Sequence, residues 1–213
     1  MRKAPLMAAT AVASATIAMA GMTSASATTG PSTTHSPSPS FTSARLTPVP
    51  TNRVHASGWA SVRLQGDTAR VTVNVKGLIP APHAMHIHFM GEGECPQADD
   101  AGIHNGHRSL STTDGLDDYG PIGTSLTTRG DTSPDSALAI ARFPQVGTFH
   151  YVRWIHLTDD VARAVRTGNA VIVVHGIDYN GNKKYDNVLG VSDLTDTLPM
   201  EATAPAICGA LTR

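Results

Sequence analysis

The chain has 213 residues, a formal net charge of −1 and 40% hydrophobic residues. This length is sufficient for one domain with a substantial hydrophobic core. Without an excess of basic residues, we expect neither nucleic acid nor an anionic membrane surface as a partner.

Residues 1–27 have the features of a cleavable signal peptide. Arg2 and Lys3 begin the chain, an Ala-rich apolar run follows, and Ala25-Ser26-Ala27 is a typical small-residue cleavage site. The run is too short and too Ala-rich for a good membrane span, although an uncleaved anchor is an alternative. We therefore predict a secreted, extracytoplasmic protein with no transmembrane segment, and leave open whether it attaches to the cell wall.

Residues 28–45 are mostly Ser, Thr and Pro. Such a composition cannot bury a core, so we predict a disordered linker here and a single folded domain over residues 46–213.

Strand patterns dominate that domain. Residues 59–64 and 69–75 alternate around Gly66-Asp67, which predicts a hairpin. We predict further strands at residues 83–88, 137–141, 148–152 and 170–174, a short helix at residues 159–166, and long polar loops at residues 91–136 and 178–205. This pattern predicts an all-β barrel or sandwich with two long functional loops.

Histidines stand out in this pattern. In a strand, His86 and His88 share one face while Met85 and Ile87 share the other, which makes half of a metal site. His104 and His175 follow later in the chain. Neutral imidazole is a good ligand for copper and zinc. Alternation places His83 on the opposite face from His86, so we predict a structural role for it.

The chain has two cysteines, Cys95 and Cys208. In an exported protein a disulfide is the default expectation, and two unpaired thiols are the alternative.

Four segments stand out between about residue 57 and residue 211: Lys76-Gly77-Leu78 followed by His83-x-x-His86-x-His88; Ala101-Gly102-x-His104-Asn105; Val173-Val174-His175; and Ala206-x-Cys208-Gly209. In these segments the sequence resembles the copper/zinc superoxide dismutases, a family of Greek-key β-barrels.

The resemblance implies a copper site formed by His86, His88, His104 and His175. It implies a catalytic role for His104, the residue that bridges copper and zinc in the family. It also implies that superoxide is the substrate, dismuted to oxygen and hydrogen peroxide, and that Cys95 and Cys208 form the family disulfide.

Several positions depart from the family pattern. Pro205 stands where the family has an Arg that attracts superoxide, and Asp118 and Pro121 stand where it has zinc ligands. We therefore expect a degraded zinc site. His107, Asp117 and Asp118 are a possible replacement set for the second metal, and His107 is also a rival to His104 as copper ligand.

Without zinc, the ring of His104 needs another group to orient it, and Asp114, Asp117 or Asp118 could serve.

The second long loop contains Asp178, Asn180, Asn182 and Asp186, spaced as in a possible calcium loop. The same residues also form Asx turns, so both interpretations stay open. Lys183 and Lys184 in this loop could attract an anion in place of the missing Arg, or simply be solvated.

The sequence thus predicts an exported copper-binding protein that dismutes superoxide, with zinc doubtful and calcium as a lesser possibility. The first alternative is a non-enzymatic copper-binding or degenerate domain of the same fold. The second is a metal-free β-sandwich of the chordin-repeat kind. The sequence does not predict an oligomeric state.

Overall fold

A computed structural model describes residues 38–213, and the predicted signal peptide lies outside the described residues. The described residues form ten strands: β1 Ser40–Pro48, β2 Ser57–Gln65, β3 Thr68–Lys76, β4 Met85–Phe89, β5 Gly102–His104, β6 His107–Ser109, β7 Ile122–Ser125, β8 Phe149–His156, β9 Ala170–His175 and β10 Pro205–Ala210. Three helices accompany them: α1 Leu116–Tyr119, α2 Asp159–Thr167 and α3 Met200–Thr203.

Eight strands form one curled antiparallel sheet in the order β7-β4-β9-β10-β1-β2-β3-β8, and β5 pairs with β6 separately. Edge strand β8 is joined to the segment just after β7, the other edge strand, because the Tyr151 hydroxyl and the Arg153 guanidinium both donate to the Thr127 carbonyl. The inward faces enclose a core of mainly Val, Leu, Ile and Ala. The all-β prediction is confirmed.

The predicted hairpin is β2 and β3, in which Val62, Leu64, Val71 and Val73 alternate into the core. The predicted helix is α2. The Thr158 side chain accepts from the Val161 N–H at its start, and Gly168 ends it in the left-handed conformation. Among the described residues, no helix is long and apolar enough to cross a membrane.

The folded domain begins earlier than residue 46, which corrects our linker boundary. Residues 40–45 belong to β1 and pair with β2 from Leu64 to Trp59. The inward positions Thr42 and Ala44 are small or polar, so the hydrophobic alternation of this strand is weak in the sequence.

Residues 137–141 were predicted as a strand. Instead, residues 137–139 connect two 3₁₀ turns, Pro134–Ser136 and Ile140–Arg142, and residues 140–141 belong to the second turn. Side chains hold these turns: Ser133 and Ser136 donate to Asp131, and Arg142 donates to Ser136. Local side-chain hydrogen bonds thus override a weak alternating pattern.

Cys95 and Cys208 form the predicted disulfide, with a sequence separation of 113 residues. It fastens the loop after β4 to β10, beside a small second core that includes Tyr119 and Val173. A disulfide of this kind is typical of oxidising, extracellular environments.

Removing this bond with Cys95→Ser and Cys208→Ser should lower the free energy of unfolding by about 4–5 kcal/mol, because a loop of this size is no longer closed in the unfolded chain. Urea unfolding of the oxidised protein and the double variant measures the difference. A loss below about 1 kcal/mol would show that the bond constrains little.

Candidate metal centre

Three buried histidines converge on one point outside the main core. His86 and His88 project from the same face of β4, as predicted, and His175 ends the neighbouring strand β9. Each is at most 3% exposed, and one ring nitrogen from each lies within 4.8 Å of the others. This cluster could hold a metal ion.

In each ring, one nitrogen is fixed by a backbone carbonyl. His86 Nε2 donates to the Ala137 carbonyl at 3.2 Å, His88 Nδ1 to that of Gly120 at 2.8 Å, and His175 Nδ1 to that of Thr203 at 2.6 Å. Because a carbonyl only accepts, these bonds fix the protonated nitrogen in each ring.

The other nitrogen of each ring has no hydrogen-bond partner among the described residues. These atoms are His86 Nδ1, His88 Nε2 and His175 Nε2, all fully buried. Buried polar atoms without a partner are rare, and three of them in one cluster of imidazoles leave three lone pairs available to a metal ion.

The local electrostatics keep these rings neutral. Burial, with smaller contributions from His175 and His88, lowers the pKa of His86 well below 6.5. Burial also lowers the pKa of His88 to about 3 and that of His175 to about 4. Neutral imidazole is the form that binds metals, so the site has its ligands ready at neutral pH.

The carbonyl partners require particular loop conformations. Gly120 has φ +77°, and a Cβ there would collide with the backbone of Phe89 and Gly91. Only glycine therefore lets this loop bring its carbonyl to His88. The Tyr119 ring lies against His88 with 4.6 Å between centroids, and its hydroxyl donates to the Thr112 carbonyl. The sequence did not reveal Tyr119 or the three carbonyls.

A cavity of about 20 Å³ adjoins His86 and His175, enough for a molecule the size of one water. Leu138 and Leu194 form part of its wall and are 38% and 43% exposed, so they lie towards solvent. The remaining lining side chains are apolar or threonine: Ala84, Thr112, Ile122, Ile140, Ala202 and Thr203. No charged side chain from residues 38–213 lines this cavity.

His104 is not part of the three-histidine cluster. It ends β5, and its Nε2 lies 2.6 Å from Asp114 Oδ2. Of the three carboxylates considered as partners of His104, Asp114 is therefore the one in contact with it. The role of His104 as a metal ligand stays a prediction.

A hydrogen bond from the backbone holds Asp114 in position for its contact with His104. The Asp114 carboxylate accepts from the Ser111 N–H at 2.8 Å. Burial raises its pKa, but the bonds from Ser111 and His104 outweigh that effect, so the pKa of Asp114 lies below its usual value. Gly102 leaves room for the pair, since a Cβ there would lie 2.9 Å from His104 Nε2.

The second-metal residues do not form a common cluster. The His107 ring packs on Tyr179 with 5.4 Å between centroids. Asp118 instead groups with Glu92 and Glu94, with carboxylate oxygens within 4.8 Å of one another. Burial, with the nearby charges of Asp100 and Glu92, raises the pKa of Asp118.

Asp117 is likewise absent from both groups of potential ligands that the described residues form. Its backbone carbonyl accepts from the Glu92 N–H.

The predicted calcium loop contains Asx turns. Asn180 Oδ1 accepts from the Asn182 N–H, Asn182 Oδ1 from that of Lys184, and Asp186 Oδ1 from that of Val188. Asp178 accepts from the same Asn182 N–H and from the Lys183 N–H. The pattern therefore has a structural role without any ion.

Pro205 begins β10, is buried, and its carbonyl accepts from Asn52 Nδ2. His83 is structural as predicted: its ring nitrogens lie 2.8 Å and 2.9 Å from the carbonyls of His175 and Ile79.

No protein-family model matches this chain, and a search of curated proteins finds no significant match. These comparisons therefore show no family for this chain.

The metal-free protein should lose stability as the pH falls from about 6.5 to about 4. The three histidines have native pKa values below their unfolded values, so the unfolded chain binds more protons in this window. The slope should approach about 4 kcal/mol per pH unit if all three contribute.

Chemical denaturation at stepwise pH measures this slope. The control is the variant His150→Gln with His156→Gln, which removes two exposed histidines and should keep the slope. A pH-independent stability between 4 and 6.5 would contradict the predicted neutrality of the cluster.

Proposed function

We propose that this domain binds one copper ion through His86 Nδ1, His88 Nε2 and His175 Nε2, and that it dismutes superoxide there. The three unpartnered, converging nitrogens carry the proposal, since they leave buried polar groups that a cation would satisfy. The resemblance to the copper/zinc superoxide dismutases supports the same ligand set.

Copper fits this donor set better than zinc. All three donors are neutral imidazoles, and among divalent first-row metals nitrogen sites bind copper most tightly. The described cluster includes no carboxylate or thiolate. When bound, copper would supply one-electron redox chemistry, which superoxide dismutation needs and zinc cannot provide.

The protein's own contribution is to hold the rings. The carbonyls of Ala137, Gly120 and Thr203 set the tautomer and orientation of each imidazole. The resemblance places His104 as a further ligand and proton carrier. Asp114 would hold the ring of His104, the task that zinc performs in the family.

A second function is favoured by the cavity lining. A dismutase gains speed when a cation lies at the mouth of the site, and here the lining is apolar or neutral and Pro205 occupies the position of the family Arg. Copper binding without catalysis is therefore the second candidate.

Replacing His86 and His88 with Ala should abolish copper binding, because two of three converging donors are lost. The protein is exposed to equal copper and zinc, dialysed against a weak chelator, and its metal content measured. We expect one copper per chain and no zinc in the unsubstituted protein, and no copper in the variant. His150→Ala with His156→Ala is the matched control, since it also removes two imidazoles and should keep the copper.

Copper retained by the His86→Ala, His88→Ala variant would place the site elsewhere. One zinc per chain that disappears on Asp118→Ala would show a zinc site rebuilt from other ligands.

The copper-loaded protein should dismute superoxide below the diffusional limit and with little dependence on ionic strength, because no cation lines the cavity. Fixed charges that steer an anion raise association rates by about 10–10³-fold. Pulse radiolysis over a range of salt concentrations measures the rate and its dependence on ionic strength.

Copper bound without turnover would support the non-enzymatic function. Loss of activity on Lys183→Gln with Lys184→Gln would show that these lysines replace the Arg.

A further inference from the structure

The outer surface of β1, β2, β3 and β8 is positively charged and aromatic. The described residues include all 17 acidic residues of the chain and, with Arg2 and Lys3 excluded, 14 basic ones. None of the acidic residues lies in these four strands, and five of the basic residues do. The rest of the described chain therefore carries nine basic and 17 acidic residues, so charge is segregated.

Four of these cations, Arg45, Arg63, Arg70 and Lys76, are exposed and point away from the core. None of them has a carboxylate within 4 Å among residues 38–213. They are available to an external anion. The fifth, Arg153, instead donates to Thr127 at the sheet edge.

The strand register places aromatic rings beside these cations. One row across the sheet reads Phe41, Arg63, Arg70 and Trp154, and a second reads Arg45, Trp59, Asn74 and His150. Each row spans about 14 Å, and the two rows are about 14 Å apart, from ordinary strand spacing and rise. Phe41, Trp59 and Trp154 are 50%, 43% and 59% exposed.

Arg63 and Arg70 are direct cross-strand neighbours. Like charges in this position destabilise a sheet, and no acidic side chain of these strands compensates them. An anion that bridges the two guanidinium groups would remove the repulsion, and a carboxylate matches their planar fork. A residue pair that lowers the local stability of the sheet in this way is typical of functional positions.

A groove of about 590 Å³ opens at the end of this face, with Trp59, Lys76 and His150 among its walls. Its size accommodates a sugar ring, and an indole offers a flat apolar surface for one. The disulfide is typical of proteins outside the cell, where anionic polysaccharides are available partners.

We propose that this basic aromatic face binds an acidic polysaccharide of the polyuronate class. Sugar rings pack on Trp59 and Trp154, and carboxylates pair with Arg63, Arg70 and their neighbouring cations. A second copy of this chain is a poor occupant, because two such faces repel each other. The face is separate from the histidine cluster, so this inference does not depend on the copper proposal.

The test measures binding of the disulfide-intact protein to polygalacturonate by isothermal titration calorimetry at several salt concentrations. We expect saturable binding that weakens steeply with salt. Arg63→Gln with Arg70→Gln should weaken it at least tenfold, and Trp154→Ala at least threefold, while Trp154→Phe keeps most of it. Lys183→Gln with Lys184→Gln is the matched control and should change it less than twofold.

Thermal melting confirms that each variant is folded. The proposal fails if polygalacturonate does not bind, if the lysine control weakens binding as much as the arginine pair, or if neutral dextran binds equally well. Tighter binding to single-stranded oligothymidine than to polygalacturonate would assign the face to nucleic acid and also overturn it. Self-association through this face, detected by sedimentation and lost in the arginine variant, would overturn it in favour of a homodimer.

Discussion

The pairing of β4 with β9 is the constraint on which the candidate centre depends. His86 lies opposite Val173, and the His175 N–H donates to the Ala84 carbonyl, so one ladder brings all three imidazoles to the same side. A slip of one residue would turn the histidines of β4 into the core and Met85 and Ile87 outwards. Burial of those two apolar side chains therefore fixes the positions of the candidate metal ligands as well as the fold.

The ladder alone does not complete the centre. Three separate loops each supply one carbonyl that orients a ring: Gly120 after α1, Ala137 between the 3₁₀ turns, and Thr203 at the end of α3. The Cys95–Cys208 bond and the small core around Tyr119 stabilise the first of these loops beside the sheet. The orientation of each histidine ring therefore depends on the conformation of the segment that supplies its carbonyl.

The parts of the structure that follow from local periodicity were predictable from the sequence. The face shared by His86 and His88, the β2–β3 hairpin and α2 all depend on patterns of two or 3.6 residues. The parts that depend on strand pairing or on side-chain hydrogen bonds were not. Strand β1 has small and polar inward residues, and the turns around residue 137 depend on the side-chain network of Asp131.

The same division applies to the candidate centre. The sequence indicated Asp114 only as one of three possible partners of His104, and the contact between them needs β5 and the loop after β6 to meet. The outward row of Phe41, Arg63, Arg70 and Trp154 exists only through strand register, which no single segment specifies.

The small size of the cavity beside His86 has a consequence for metal acquisition. A space of about 20 Å³ accommodates one water molecule but not an ion with its hydration shell. An ion that binds the folded domain would therefore have to shed its water, and the side chains that line the cavity, Leu138 and Leu194 among them, would have to make room for it. A chain that meets its metal before this part of the domain has folded would avoid that barrier.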